Sequence, residues 1–94
     1  MPGEVTDNRA EERFEMRVDG QLALIAYRRG EDRIALVHTE VPEALSGQGI
    51  GSKLVRGTLE ALRAQGRRAG SRCSFVSAYV ERHPEYRDVL ADGA

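Results

Sequence analysis

The sequence has no tryptophan, one cysteine, three prolines, two phenylalanines and three tyrosines among its 94 residues. A lone cysteine cannot close an internal disulfide, so a cross-linked framework is excluded and a reducing compartment, the cytoplasm, is expected. No apolar run approaches the ~20 residues of a membrane-spanning helix, and the opening stretch MPGEVTDNRAEE is polar, unlike a secretory leader. Neither sign of charge is in excess. Fourteen Lys and Arg stand against fifteen Asp and Glu, which argues against a general nucleic-acid binder. The basic stretch Arg63–Arg72 accordingly reads as a solvated helix end and strand edge. Neither a membrane partner nor a metal site is expected.

What is present suffices for one domain with one modest core, at 40% apolar residues. Residues 1–12 are acidic and lack any apolar period, so they read as a flexible tail, with 13–91 as the domain and 92–94 as a second tail. Phe14, Met16 and Val18 alternate with charged residues, the mark of a half-buried strand. Asp19-Gly20 is a two-residue hairpin signal. Gln21–Arg29 is apolar on both faces over Leu22–Tyr27 and reads as a central strand, and Gly30-Glu31-Asp32 turns the chain again. Arg33–Val41 completes an antiparallel meander and stops at Pro42, which lacks an N–H for pairing. Strict alternation along this strand puts Ile34, Leu36, His38 and Glu40 on one face and Ala35, Val37, Thr39 and Val41 on the other.

Glycines at alternate positions follow, Gly47, Gly49 and Gly51, and a helical stripe (Ile50, Leu54, Val55, Leu59, Leu62, with Ala61 beside it) begins at once. Gly66 is the expected C′ residue of this helix. Strand, glycine turn and helix start together read either as a tight turn before a helix or as a phosphate cradle. Glycine admits φ > 0 and close approach, and the unpaired amides of the first turn face an anion with the helix dipole behind them. The P-loop spacing fails, since Lys53 follows Ser52 and precedes Leu54. The dinucleotide fingerprint fails because Ser52 stands where its third glycine belongs. A short strand over Arg67–Arg72, parallel to the third, would close a right-handed crossover. Cys73 follows it, with Ser74 as N-cap of a helix carrying Phe75, Ala78 and Tyr79. Pro84 can open a further short helix.

The loop at Ser46–Gly51 resembles the acetyl-CoA pyrophosphate loop of the GCN5-related (GNAT) N-acetyltransferases, [RQ]-x-x-G-x-[GA], with Ser46 where that pattern has Arg or Gln. The wider string is similar to the small single-domain branch of that family: HTEVPEALSGQGIGSKLV, then Arg72-Cys73-Ser74, then Tyr79-Val80-Glu81-Arg82-His83-Pro84-Glu85-Tyr86. The resemblance covers Phe14 to about Leu90. It implies an α/β (α+β) fold of minimal GNAT type: an antiparallel meander, one parallel strand, and two to three helices. It also implies acetyl transfer from acetyl-CoA to an unidentified amine acceptor, by a monomer or weak homodimer. The alternatives are a non-catalytic CoA or acyl-CoA binding module, and a phosphate-ligand domain unrelated to CoA.

In that reading the backbone of Thr39–Val41 borders the pantetheine arm, and the amides of Gln48, Gly49, Ile50, Gly51, Ser52 and Lys53, after Gly47, hold the pyrophosphate. Ser74 and Tyr79 complete the cofactor-binding set. Lys53 has a second reading, as a solvated side chain. His38 is either a hydrogen-bonded core residue or part of the reacting site, and Glu40 either reaches solvent or accepts the amine's proton. The family's leaving-group tyrosine aligns with Val80, so that acid is missing or displaced to Tyr79. Cys73, before a helix start that lowers a thiol's pKa, has three readings: an inert buried residue, a covalent acetyl carrier, or a non-covalent role, lining the acetyl pocket or protonating the leaving thiolate.

Overall fold

A computed structural model describes residues 4–30 and 33–90. It forms one mixed sheet in the order β1-β2-β3-β4-β5, with β1 Thr6–Asn8, β2 Arg13–Val18, β3 Gln21–Arg29, β4 Ile34–Glu40 and β5 Ala69–Ser71. Four strands are antiparallel in sequence order, and β5 pairs with β4 in parallel. Helix α1 (Ile50–Ala64) links those two, and α2 (Ser74–Arg82) follows β5. Glu31 and Asp32, where the sequence places a turn, lie outside the described residues, as do Met1–Gly3 and the tail at 92–94.

The hairpin signal is realised: Asp19 and Gly20 both have positive φ, 51° and 77°, as the tight turn between β2 and β3 demands. Phe14, Met16, Val18, Ala23, Ile25 and Tyr27 point from these strands into one core. The stripe of α1 meets them there, and Leu54, Val55, Leu59 and Leu62 are fully buried. Helix α1 ends in two reverse hydrogen bonds, Gly66 N–H to Arg63 O (3.0 Å) and Arg67 N–H to Leu62 O (2.9 Å), with Gly66 at φ 67°. These satisfy carbonyls that the helix leaves unpaired.

Three features differ from the sequence expectation. The segment 1–12 contains β1, whose Asp7 accepts a hydrogen bond from Tyr27 Oη at 2.6 Å. Beside it Val5 packs so closely on Gly57 of α1 that an added Cβ would collide with its side chain. One apolar residue and one carboxylate thus hold a stretch that has no periodicity of its own. The parallel strand β5 is only three residues long, because its pairing with β4 ends at Leu36 and Ser71. Beyond that point the two strands fork.

The third difference is a β-bulge in β4. Ala26 faces His38 and Tyr27 faces Leu36, so Val37 is an extra residue against β3. A bulge shifts side-chain alternation by one. Ile34 and Leu36 therefore point into the core as expected, but Thr39, opposite Ile25, joins them. His38 and Glu40, opposite Ala26 and Leu24, turn to the other face of the sheet, where their side chains are 58% and 62% exposed. Strict alternation misplaces all three.

Thr58 of α1 is fully buried, and its Oγ1 has no hydrogen-bond partner among the described residues. An unsatisfied buried hydroxyl costs about 1–3 kcal/mol, so Thr58→Val is expected to raise unfolding free energy by ~1 kcal/mol in urea titration.

Candidate active site

The fork between β4 and β5 opens a cleft of about 590 Å³, within the range of small-ligand sites. Its last closed rung is the bond from Arg72 N–H to Leu36 O, 2.8 Å. From there the β4 edge turned toward β5 lies open, bordering the cleft through His38, Thr39 and Val41. One end of the cleft is the glycine loop. A 3-10 turn, Glu43–Leu45, leads into Gly47 and Gly49, both left-handed at φ 81° and 71°. Gly49 is the N-cap of α1. A side chain at either glycine would meet nothing within 4 Å, so conformation and not space is what requires glycine there.

A helix cannot satisfy the amides of its first turn. In α1 these belong to Ile50, Gly51 and Ser52, all at the cleft. The Lys53 amide is already bonded to Gly49 O at 3.1 Å, so the cradle ends one residue earlier than expected. The lining does not include Gln48, Lys53, Glu40 or Tyr79. Tyr79 is held elsewhere, stacked on His83 with ring centroids 4.1 Å apart and tilted toward Tyr86 at 6.2 Å; burial raises its pKa above the ordinary tyrosine value. Glu40 lies on the open face with its carboxylate 3.0 Å from His38 Nε2. Of that pair, only His38 reaches the cleft.

The other end of the cleft is the start of α2. Its N-cap is Cys73, in extended conformation, not Ser74, which is the first helical residue. Ser71 explains the shift. Its hydroxyl donates to Cys73 O at 2.9 Å and pairs with Ser77 Oγ at 2.7 Å, which holds Cys73 extended at the helix entrance. Two helix N-termini thus converge on one cleft, and their dipoles both favour negative charge there.

The bulge brings Thr39 Oγ1 within 3.3 Å of Cys73 Sγ. Partial burial pushes the Cys73 thiol pKa up, but the Thr39 hydroxyl and the amides of Val76, Phe75 and Thr39 outweigh it, and the net shift is downward. A low-pKa, accessible thiol is the reactive kind. Iodoacetamide alkylation of Cys73 is therefore expected to show a pH midpoint below that of an ordinary cysteine. Thr39→Val removes the leading stabiliser of the thiolate and should move that midpoint upward; an unchanged profile would show that the hydroxyl does not tune the sulfur.

Leu45, Ser46 and Phe75 also line the cleft, although none of them had a place among the site residues read from the sequence. Phe75 is 43% exposed, and its ring lies over Gly51, where an added Cβ would come within 2.8 Å of it. The signal available was a large apolar residue on the first turn of α2, which helical spacing assigns to packing. Among the described residues no group of three or more His, Cys, Asp or Glu side chains could hold a metal ion, and no helix is long and apolar enough to cross a membrane.

A mixed sheet forked beside a glycine-opened helix is the arrangement expected of a GNAT-type fold. Residues 13–89 match the family model of the GCN5-related N-acetyltransferases. The chain belongs to that family and is an acetyltransferase. It is 31% identical to Protein NATD1 of Gallus gallus over 86 residues, covering 88% of this chain and 78% of the relative. Protein NATD1 of Homo sapiens is likewise 31% identical over 86 residues, covering 88% of this chain and 76% of that protein. The solution structure of a GCN5-like protein from Staphylococcus aureus is similar, with a TM-score of 0.69 and 32% identity. That match covers 93% of this chain and 86% of the other.

Proposed function

We propose that this acetyltransferase binds acetyl-CoA in the β4–β5 fork and passes the acetyl group through Cys73 to an amine. The observation that carries the reading is the Thr39–Cys73 contact at the closed end of a cleft whose other end is a diphosphate cradle. The amides of Ile50, Gly51 and Ser52 would take the pyrophosphate, and Gly47 and Gly49 let it approach the main chain. The free edge from Thr39 to Val41 would hydrogen-bond the pantetheine amides as a neighbouring strand would. The Cys73 thiolate then attacks the thioester carbonyl, forming one thioester as another breaks. The leaving CoA thiolate takes up the proton that Cys73 released. The amine attacks acetyl-Cys73, forming the amide and returning the thiolate, and the proton lost by nitrogen goes to His38. Glu40, 3.0 Å from that ring, positions it.

A second reading keeps the same site without the covalent step. The amine attacks acetyl-CoA directly, and the Thr39–Cys73 pair protonates the departing sulfur. Positioning and electrostatic stabilisation carry the rate in both. Thiol chemistry of this kind suits a reducing compartment, and the open groove suits a monomer or a weak homodimer. The test is a ¹⁵N NMR titration with CoA. Shifts at Gly49–Ser52 together with Thr39–Val41 support the site, whereas shifts confined to other residues would move it.

A further inference from the structure

Behind the fork, on the sheet face that carries no helix, lies a second hollow of about 480 Å³. Its floor follows from register. Arg28 on β3 lies opposite Ala35 on β4, which lies opposite Gly70 on β5. The two small residues leave a trough between the arginine at one side and Arg72 at the other, with Arg29, Arg33 and Val37 completing the wall. Among the described residues Arg28 and Arg72 make no ion pair, and no carboxylate of those residues lines the hollow. Arg29 is turned away, its guanidinium donating to Arg9 O, so Arg28 and Arg72 are the two guanidinium groups that the trough has to offer. Arginine is the side chain best suited to grip a carboxylate or phosphate in two-point fashion.

The hollow lies next to the fork along both strands. Val37 lines the hollow and Thr39 the cleft, two residues or about 7 Å apart along β4, and Arg72 in the hollow precedes Cys73 in the cleft. We infer that this trough is the acceptor subsite, and that the amine acetylated by this enzyme carries an anionic group, a carboxylate or a phosphate, on a short spacer. The inference rests on the acetyl-transfer reading above. The anion lies against Arg28 and Arg72, and its amine reaches the fork from the open face, where His38 stands.

The experiment uses the full chain and three amines of similar length: O-phosphoethanolamine, β-alanine and ethanolamine. In ¹⁵N NMR, the anionic amines are expected to shift the amides of Ala35, Val37, Gly70 and Arg72, and ethanolamine is expected to leave them in place. Whichever anion shifts them more tightly identifies the group preferred. The value of kcat/KM for that amine should exceed that of ethanolamine at least tenfold. The double variant Arg28→Gln, Arg72→Gln should abolish the difference while KM for acetyl-CoA stays the same. Since both arginines are exposed, rising salt should erode the preference as well. Equal acetylation of ethanolamine would overturn the inference. So would anion binding in the trough with no preference in turnover, or CoA itself shifting the trough amides and displacing the anionic amines. Failure of CoA to shift Gly49–Ser52 would instead count against the cofactor site, and the anion titration would remain readable without it.

Discussion

Cys73→Ala is expected to lower turnover with acetyl-CoA on the order of a thousandfold, about 4 kcal/mol of barrier, and to abolish any acetylated form of the protein. The side chain is half-buried at the helix entrance, and its one side-chain partner among the described residues is the Thr39 hydroxyl. Its loss is therefore expected to leave the fold and the glycine loop intact. CoA affinity measured by calorimetry should stay within about twofold, a few tenths of a kcal/mol. The decisive measurement is intact-protein mass spectrometry after mixing with acetyl-CoA. Wild type should gain one acetyl group in the absence of amine and lose it when amine is added. Full turnover in Cys73→Ala would eliminate the relay and leave direct attack. A loss restricted to roughly tenfold would fit a proton donor that water partly replaces.

Gly49→Val tests the opposite end of the cleft. At φ 71° an L-residue costs about 1–2 kcal/mol, and a β-branched one more, although there is open space around the position. The loop would escape by rotating Gly49 out of the left-handed region. That rotation moves the N-cap and re-aims the amides of Ile50, Gly51 and Ser52. Affinity for CoA is expected to fall on the order of a hundredfold, about 2.7 kcal/mol, as read by calorimetry. Thermal stability should change much less, because the loop adds only Leu45 and Ile50 to the buried core. Gly49→Ala should fall between the two. Unchanged CoA binding in the valine variant would show that the diphosphate does not sit on this turn.

Local signals carried the parts of this fold that depend on a few neighbouring residues. The Asp19-Gly20 turn, the buried stripe of α1 and the stop at Gly66 each follow from chemistry within one or two turns of chain. So did the glycine loop, whose spacing bears its own meaning. The failures share a different cause. Counting alternate residues along β4 assumes no insertion, and one extra residue at Val37 exchanged the faces of Thr39 with those of His38 and Glu40. The pairing that creates the bulge involves Ala26 and Tyr27, on the neighbouring strand. Likewise, β1 depends on Gly57 admitting Val5 and on Tyr27 reaching Asp7. Ser74 looked like the cap because serine prefers that position, but Ser71, three residues earlier, fixed the entrance so that sulfur fills it. Cys73 and Thr39 could each be singled out from the sequence, but their contact could not.

The sheet also separates two entrances. The glycine-loop end of the cleft opens among the helices, while the arginine trough faces the other side of the sheet, and the fork lies between the two. Traffic on one side then does not obstruct traffic on the other: an incoming amine can dock before spent CoA has departed. Initial-rate plots that intersect are ordinarily taken to exclude an acyl-enzyme. With two doors, such plots would be compatible with one.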